Sequence, residues 1–226
     1  VYIHQYFNMR SEATVVLPVE STGRSYYVMS YPGFQNINNN EVYSSEFLVV
    51  AGEDDTEISI RLSDRTRGNR PAGSRIDINL NAGESYQVQA DLASGDLTGT
   101  FITGSKKFTV LAGAEWTEVP VACNFRDNLL EMMYPLETWG RQFVSIPNAQ
   151  MNFDQYRVLA AEDNTVVRIT GGNQPDVNLN AGEFYEFSSS VSHLFEANRP
   201  ILVAQYLVGA NCNGHSVGDP SMVLLN

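Results

Sequence analysis

The sequence predicts an all-β protein made of two tandem antiparallel β-sandwich repeats of about 100 residues each. Three observations support this fold class. Apolar and polar residues alternate, β-branched and aromatic residues are abundant, and several motifs occur twice in the same order. A chain of 226 residues, of which 43% are hydrophobic, has enough apolar side chains to fill two such cores.

Alternation is clearest in two segments of the first half. Residues 58–62 and 76–80 place Ile or Leu at every second position, which is typical of a strand with one buried face. The chain also contains 11 Tyr and 11 Phe, with Gly, Asn and Asp between the apolar runs. Only residues 124–134 have apolar residues at helical spacing, and Leu129 to Met133 fit a strand equally well.

The internal repeat extends over long segments. The stretch "VVAGEDDTEISI" at residues 49–60 matches "VLAAEDNTVVRI" at residues 158–169, and the inward-facing positions of the predicted strands are kept. Upstream, "PVESTGR" at residues 18–24 matches "PLETWGR" at residues 135–141. The matched segments follow each other in the same order, which indicates a repeated fold.

Three similar strands mark the ends of the repeats. They are "VYIHQY" at residues 1–6, "FTVLAG" at 108–113 and "ILVAQY" at 201–206. We therefore predict a first β-sandwich repeat over residues 1–107. A second repeat is predicted over residues 108–226, together with the start of a third.

The motif "NLNAGE" occurs at residues 79–84 and again at residues 178–183. Its Leu is expected to face the core, and its Ala-Gly pair to form a hairpin turn in which Gly adopts a positive φ. "EDDT" and "EDNT" are typical of a second turn, in which an Asp or Asn side chain accepts a hydrogen bond from nearby backbone. Both motifs are expected to recur because the fold recurs.

Charge excludes some classes of partner. The chain has 14 Lys and Arg against 26 Asp and Glu, a formal net charge of −12. Such a chain repels phosphate backbones and anionic headgroups, so we expect no nucleic-acid partner. The sequence has no run of 18 apolar residues, and no membrane insertion is expected.

Several stretches together resemble a known family. They are "SEFLVVAGEDDTEISI", "NLNAGESYQVQ", "DLTGTFITGSKKFTVLAG", "DNLLEMMYPLETWGRQFV" and "GDPSMVLL". In this order they are similar to the IgG-Fc-binding-protein N-terminal domain family, and the resemblance covers essentially the whole chain. It implies a secreted, extracellular, non-enzymatic module for adhesion or protein binding, often one part of a larger mosaic protein.

A basic loop is the first candidate binding site. Residues 65–74, "RTRGNRPAGS", have no full counterpart in the second repeat, as expected of an exposed loop. Arg65, Arg67 and Arg70 make it a basic patch on an acidic chain. One interpretation is a solvated loop whose arginines pair with nearby carboxylates. The alternative is a docking loop for an acidic ligand.

Exposed aromatic residues would suit a lectin-like face, because sugar rings stack on aromatic rings. Trp116 is flanked by polar residues and is the best candidate for exposure, whereas Trp139 is expected to pack in the core. Tyr26, Tyr27, Tyr31 and Phe34 are further candidates for stacking on a glycan. Filling a sandwich core is the alternative role for all of them.

Acidic residues in the repeated turns are candidate Ca²⁺ ligands. Glu53, Asp54 and Asp55, together with Glu162 and Asp163, supply closely spaced carboxylates, which Ca²⁺ prefers. They lack the spacing of an EF-hand loop, and a purely structural turn explains them as well. No other cofactor is implied.

Cys123 and Cys212, the two cysteines of the chain, are candidates for one disulfide. Both follow a copy of the same repeated strand, so they fall in comparable loops. Their distances from those strands differ, and the alternative is that each is free or pairs outside this sequence.

An enzyme has little support in the sequence. One polar loop contains a possible nucleophile, base and orienting group, namely Cys212, His215, Ser216, Asp219 and Ser221, but neighbours in sequence seldom form a catalytic triad. We therefore expect a non-enzymatic module that engages protein or glycan partners, further domains or copies of the same chain. A Ca²⁺-dependent or lectin-like adhesin is the alternative, and a hydrolase is a distant third.

Overall fold

The computed structural model describes residues 1–225 and confirms an all-β chain, with 52% of residues in strands and 3% in helix. Within these residues the helical segments are two short 3-10 turns, Val19–Ser21 and Leu136–Thr138. In chain order the strands are β1 Tyr2–Phe7, β2 Arg10–Val15, β3 Gly23–Tyr27, β4 Phe34–Asn36, β5 Glu41–Tyr43, β6 Ser45–Ala51, β7 Thr56–Arg61, β8 Arg75–Leu80, β9 Ser85–Gln89, β10 Phe101–Glu118, β11 Arg126–Met132, β12 Gln142–Ser145, β13 Asp154–Ala160, β14 Thr165–Thr170, β15 Val177–Leu179, β16 Phe184–Ser189, β17 His193–Ala197, β18 Ile201–Leu207 and β19 Ser221–Leu224.

The chain divides into two compact units. Unit 1 comprises Val1–Thr117 and Asp127–Thr138, and unit 2 comprises Glu118–Arg126 and Trp139–Asn226. The boundary expected between residues 107 and 108 falls inside β10, which is continuous. The two units therefore alternate along the sequence: residues 118–126 belong to unit 2, and the chain then returns to unit 1 for residues 127–138.

Unit 1 contains a seven-stranded antiparallel sheet with β10 at its centre. Residues 101–104 of β10 pair with β7, and residues 101–103 also pair with β3. Residues 108–114 pair with β6, and β11 lies on another side of β10. β8 and β9 extend the sheet beyond β7 and β6. One long strand therefore joins two groups of four strands, β8-β7-β10-β3 and β9-β6-β10-β11.

Two hairpins complete unit 1. β1 and β2 form one, and β4 and β5 form the other, with Phe34 directly opposite Tyr43. The core of unit 1 is apolar because every second residue of β6 and β7 points inward. Phe47, Ile58 and Ile60 are at most 2% exposed.

Unit 2 contains two four-stranded antiparallel sheets, β12-β17-β14-β15 and β16-β13-β18-β19. Both sheets contribute side chains to one hydrophobic core. Its large members are Phe143, Tyr156, Val158, Val167, Ile169, Phe187, Phe195, Ile201 and Val203.

The strand neighbours of the two units correspond. The order β8-β7-β10-β3 matches β15-β14-β17-β12, and β9-β6-β10-β11 matches β16-β13-β18-β19. Where unit 1 has the single strand β10, unit 2 has β17 and β18, separated at residues 198–200. Pro200 lies in this break and has no N–H to donate to a sheet. Assignment of the units as tandem sandwich repeats stays a prediction.

The repeated turns have the predicted positive φ, but they are not hairpins. Gly83 and Gly182 both have φ of +80°. The prediction of a hairpin was wrong because the strands on either side of each turn pair with other strands: β8 and β9 lie at opposite ends of their strand order, and β15 and β16 belong to different sheets. Leu80 and Leu179 are 9% and 8% exposed, so both face a core. The segment at 124–134, for which helix and strand were both open, contains strand β11.

Candidate functional site

The predicted arginine loop lies beside the β4–β5 hairpin of unit 1. Thr66 forms β-bridges with Ala90 and Arg70, which hold the loop against the end of β9. Arg65 pairs with Asp91, with 2.9 Å between Nε and Oδ2, and also donates a hydrogen bond to Asn69. For Arg65 the simpler interpretation, a solvated arginine paired with a nearby carboxylate, describes the contacts.

Arg67 makes a different set of contacts. Its guanidinium donates to the Gln89 side chain at 2.6 Å and to the carbonyl oxygen of Val42 at 2.8 Å. It also lies 3.1 Å from Ser44 Oγ and 3.5 Å from a carboxylate oxygen of Glu115. Arg67 thereby joins the loop to the base of the β4–β5 hairpin while its side chain stays 43% exposed.

Trp116 lies at the centre of an aromatic cluster next to Arg67. The rings of Phe34 and Tyr43 meet the Trp116 ring edge-on, with centroid distances of 5.5 and 5.1 Å. Phe34 and Tyr43 are cross-strand partners, so one hairpin presents both rings to one side of β10. Trp116 is half-buried by these contacts.

Arg10 completes the cluster from strand β2. Its guanidinium carbon lies 4.5 Å from the Trp116 ring centroid and 4.6 Å from that of Tyr43, within the range of cation–π contacts. It also donates to the Glu115 carbonyl oxygen at 3.3 Å. We call Arg10, Phe34, Tyr43, Arg67 and Trp116 the arginine–aromatic surface.

Two carboxylates, those of Glu41 and Glu115, accept hydrogen bonds at this surface. The Tyr43 hydroxyl donates to Glu41 at 2.6 Å, which raises the pKa of Tyr43 and lowers that of Glu41. The Glu115 carboxylate accepts a hydrogen bond from the backbone N–H of Ser44 at 2.8 Å and faces Arg67. The arginines are therefore oriented by neighbouring acceptors, which reduces the entropy that docking a partner would cost.

The structure groups only part of the predicted binding set. Arg67 and Trp116 belong to one surface, whereas Arg65 is engaged by Asp91. Arg70 is exposed and lines a shallow cavity of about 140 Å³ together with Arg67. Sequence reasoning missed Arg10 and Tyr43, because their proximity to Trp116 results from β2 and a distant hairpin folding onto β10.

Three of the other aromatic candidates are buried. Tyr26, Tyr27 and Tyr31 are 0%, 7% and 1% exposed, so they fill the core, which is the alternative role that the sequence left open. The buried hydroxyl of Tyr26 is satisfied inside the core, because it donates a hydrogen bond to the Phe108 carbonyl oxygen at 2.7 Å. Trp139 is 8% exposed and packs in the interior, as predicted.

The candidate Ca²⁺ ligands act as hydrogen-bond acceptors in the repeated turns. Asp54 accepts from the Ala82 N–H and Asp163 from the Ala181 N–H, each at 3.0 Å. Glu53 and Glu162 offer their backbone carbonyl oxygens to a Thr hydroxyl three residues on. Asp55 occupies the left-handed position of its turn, with φ of 51°. Within residues 1–225, no three acidic, His or Cys side chains converge as a metal site would require.

The predicted disulfide is confirmed. Cys123 and Cys212 are bonded, with 2.02 Å between the sulfur atoms and 5.8 Å between the Cα atoms. The bond joins the loop before β11 to the loop before β19, both in unit 2. In the bonded state the Cys212 sulfur is therefore not free to act as a nucleophile.

Comparison with known proteins places the chain in a family. The sequence model described as IgGFc binding protein matches residues 12–226. The human IgGFc-binding protein is 29% identical over 222 residues, which cover 95% of this chain. The chain spans about 4% of the length of that relative.

Neither a solved structure nor, in the described part of the chain, a membrane-spanning helix adds to this family match. No solved structure matches the chain. Among residues 1–225, none of the helical segments has the length and apolar character needed to cross a bilayer. Because the family model covers nearly the whole sequence, the chain belongs to the IgGFc binding protein family.

Proposed function

We propose that this chain is a non-enzymatic protein-binding module that docks its partner on the arginine–aromatic surface of unit 1. The observation that carries the proposal is the placement of two arginines and three aromatic rings on one oriented, partly exposed patch. Trp, Tyr and Arg are the residues that most often dominate protein–protein binding energy. Their flat rings and planar guanidinium groups offer large contact areas at a low entropic cost.

Exposed apolar side chains around this surface support docking of a protein. Phe7 is 65% exposed and lies 5.6 Å from the Arg10 guanidinium carbon. Ile37, at the turn of the hairpin that carries Phe34 and Tyr43, is 88% exposed. An apolar rim with central arginines suits a partner that offers both hydrophobic side chains and carboxylates.

The first partner to test is the Fc part of immunoglobulin G. The human relative is named for binding it, and the match to that relative covers 95% of the chain described here. Immobilised chain would be exposed to purified human IgG Fc, and affinity measured by surface plasmon resonance. We expect Trp116→Ala and Arg67→Ala each to weaken binding by roughly tenfold or more, as removal of hot-spot residues does.

Matched controls make the test specific. Arg168→Ala removes an exposed arginine of unit 2, which pairs with Asp176, and should leave affinity unchanged. Fc binding that is insensitive to Trp116→Ala and Arg67→Ala would place the docking site elsewhere. A glycan array tests the lectin-like alternative, and glycan binding lost in Trp116→Ala would favour it.

We also propose that the two units are tandem copies of one β-sandwich and that the module works in an oxidising, extracellular compartment. Matching strand orders support the first statement, and the disulfide supports the second. An experimental structure should superpose Ile58 on Val167 and Tyr86 on Tyr185. Failure of the two units to superpose would refute the repeat, and free thiols in the native secreted protein would refute the compartment.

A further inference from the structure

Unit 1 contains a cavity on the face of its sheet that is covered by the β1–β2 hairpin. The cavity has a volume of about 380 Å³, within the range of small-molecule pockets. Its walls are mainly apolar side chains from three sheet strands and from β1. They include Ile3, Leu48, Leu111 and Leu129.

The hairpin is held over this cavity by side-chain hydrogen bonds to β11. Asn128 donates to Gln5 of β1 at 2.9 Å, and Ser11 N–H donates to Asp127 at 2.9 Å. Thr14 donates to Glu131 at 2.6 Å. These bonds keep β1 at a fixed place relative to the sheet, so the cavity is a defined part of unit 1.

One carboxylate, that of Glu46, lines the apolar cavity. Gln87 and Gln89 both donate to its Oε2, at 2.7 and 2.9 Å. Within residues 1–225 no Lys or Arg lies within ion-pair distance of Glu46, although Arg67 and Glu115 act on it electrostatically from farther away. Burial raises the pKa of this carboxyl group, and the two amide donors oppose that rise. A partly buried carboxylate that lacks a close cation is complementary to a cationic donor.

The matching face of unit 2 is closed by the protein itself. Cross-strand pairing puts Leu48 beside Gln87 in unit 1 and Arg157 beside Glu186 in unit 2. Arg157 and Glu186 form an ion pair at 2.5 Å, and the Arg157 guanidinium carbon lies 4.5 Å from the Phe184 ring centroid. Unit 2 thus supplies its own cation over its own aromatic ring, where unit 1 has apolar walls and an unpaired carboxylate.

We propose that the cavity of unit 1 binds an amphipathic primary amine, with the ammonium group on Glu46 and the unbranched apolar body between Leu48, Leu111 and the β1 strand. The ammonium group takes the place that the Arg157 guanidinium has in unit 2. The cavity shares no lining residue with the arginine–aromatic surface, but Arg67 of that surface donates to Gln89, one of the two amides on Glu46. A change at Trp116, which does not contact Glu46, therefore distinguishes failure of one site from failure of the other.

The test compares three probes that share one apolar chain: n-octylamine, n-octanol and n-octanoate. Isothermal titration calorimetry on the intact chain should give one saturable site for the amine. Its affinity should exceed that for the alcohol by roughly tenfold, the contribution of one hydrogen bond to a charged group. The carboxylate probe should bind more weakly than the alcohol.

Three variants locate the site. Glu46→Gln should abolish the preference for the amine over the alcohol while leaving alcohol binding unchanged. Leu48→Arg with Gln87→Glu copies the arrangement of unit 2 and should abolish binding of all three probes. Trp116→Ala should leave amine binding as in the parent chain.

Several results would overturn the proposal. Equal affinity for amine and carboxylate, no saturable binding of the amine, or an unchanged amine preference in Glu46→Gln would each do so. Circular dichroism checks that the double variant is folded. If it is not, the probe comparison with Glu46→Gln decides alone, because that change preserves the shape of the side chain.

Discussion

Removal of the Cys123–Cys212 disulfide should strongly destabilise unit 2. The perturbation is the double variant Cys123→Ala with Cys212→Ala, and the two residues are separated by 89 positions in the sequence. In the chain-entropy description, a cross-link that closes a loop of this length lowers the entropy of the unfolded chain. The stabilisation works out at about 4.6 kcal/mol at room temperature. Native disulfides removed from small secreted domains typically cost about 2–5 kcal/mol, which brackets this value.

Guanidinium unfolding followed by tryptophan fluorescence measures the effect in each unit. Trp139 belongs to unit 2 and Trp116 to unit 1. A Trp116→Phe background therefore leaves a reporter of unit 2, and a Trp139→Phe background leaves a reporter of unit 1. We expect the unit 2 transition to move to lower denaturant and the unit 1 transition to stay in place.

Reductant supplies the control. Dithiothreitol should lower the stability of the parent chain by the same amount and should not affect the double variant. A loss in unit 2 below about 1 kcal/mol would refute the reasoning, because the loop-closure contribution would then be absent.

Three further predictions concern the repeated turns and the hairpin. Gly83→Val and Gly182→Val should each cost about 1 kcal/mol or more in the free energy of unfolding, since φ is +80° at both positions, and equal stability to the parent in urea would contradict the turn assignment. Addition of EDTA should leave the melting temperature unchanged, and a drop caused by the chelator would instead support Ca²⁺ binding. Asp54→Ala and Asp163→Ala should each lower the free energy of unfolding by about 1 kcal/mol, because a backbone N–H loses its acceptor. Burial raises the pKa of Glu131 from 4.5 to about 7, so the folded chain keeps a proton that the unfolded chain releases, and the free energy of unfolding should fall as pH rises from about 4.5 to 7. Glu131→Gln should flatten that fall, and an unchanged pH profile would show that another group is responsible.

Much of the fold could be predicted from local pattern. Strands with one buried face alternate apolar and polar residues, so β7 and β8 were visible in the sequence. A turn that needs positive φ selects Gly at one position, so the two copies of "NLNAGE" identified two turns. Both signals are local, because they depend on backbone geometry over a few residues. That these turns are not hairpins was not visible, because it depends on which strands pair.

The unit boundaries were less visible. β10 continues through residue 107 because residues 105–107 contain no Pro and both parts of the strand find pairing partners. Unit 1 also includes β11, although the segment that links β10 to β11, residues 118–126, belongs to unit 2. Such assignments depend on which strands pair, and pairing is a long-range property.

The candidate sites illustrate the same difference. Composition and motifs alone determined an acidic all-β chain, its repeated turns, its family and the candidacy of Arg67, Trp116 and the two cysteines. Only the tertiary structure brought Arg10 and Tyr43 onto Trp116 and placed Glu46 in a cavity beneath β1. The physical reason is that the pattern of a strand specifies which of its two faces is buried. The side chains that pack against that face come from other segments, which can lie anywhere in the chain.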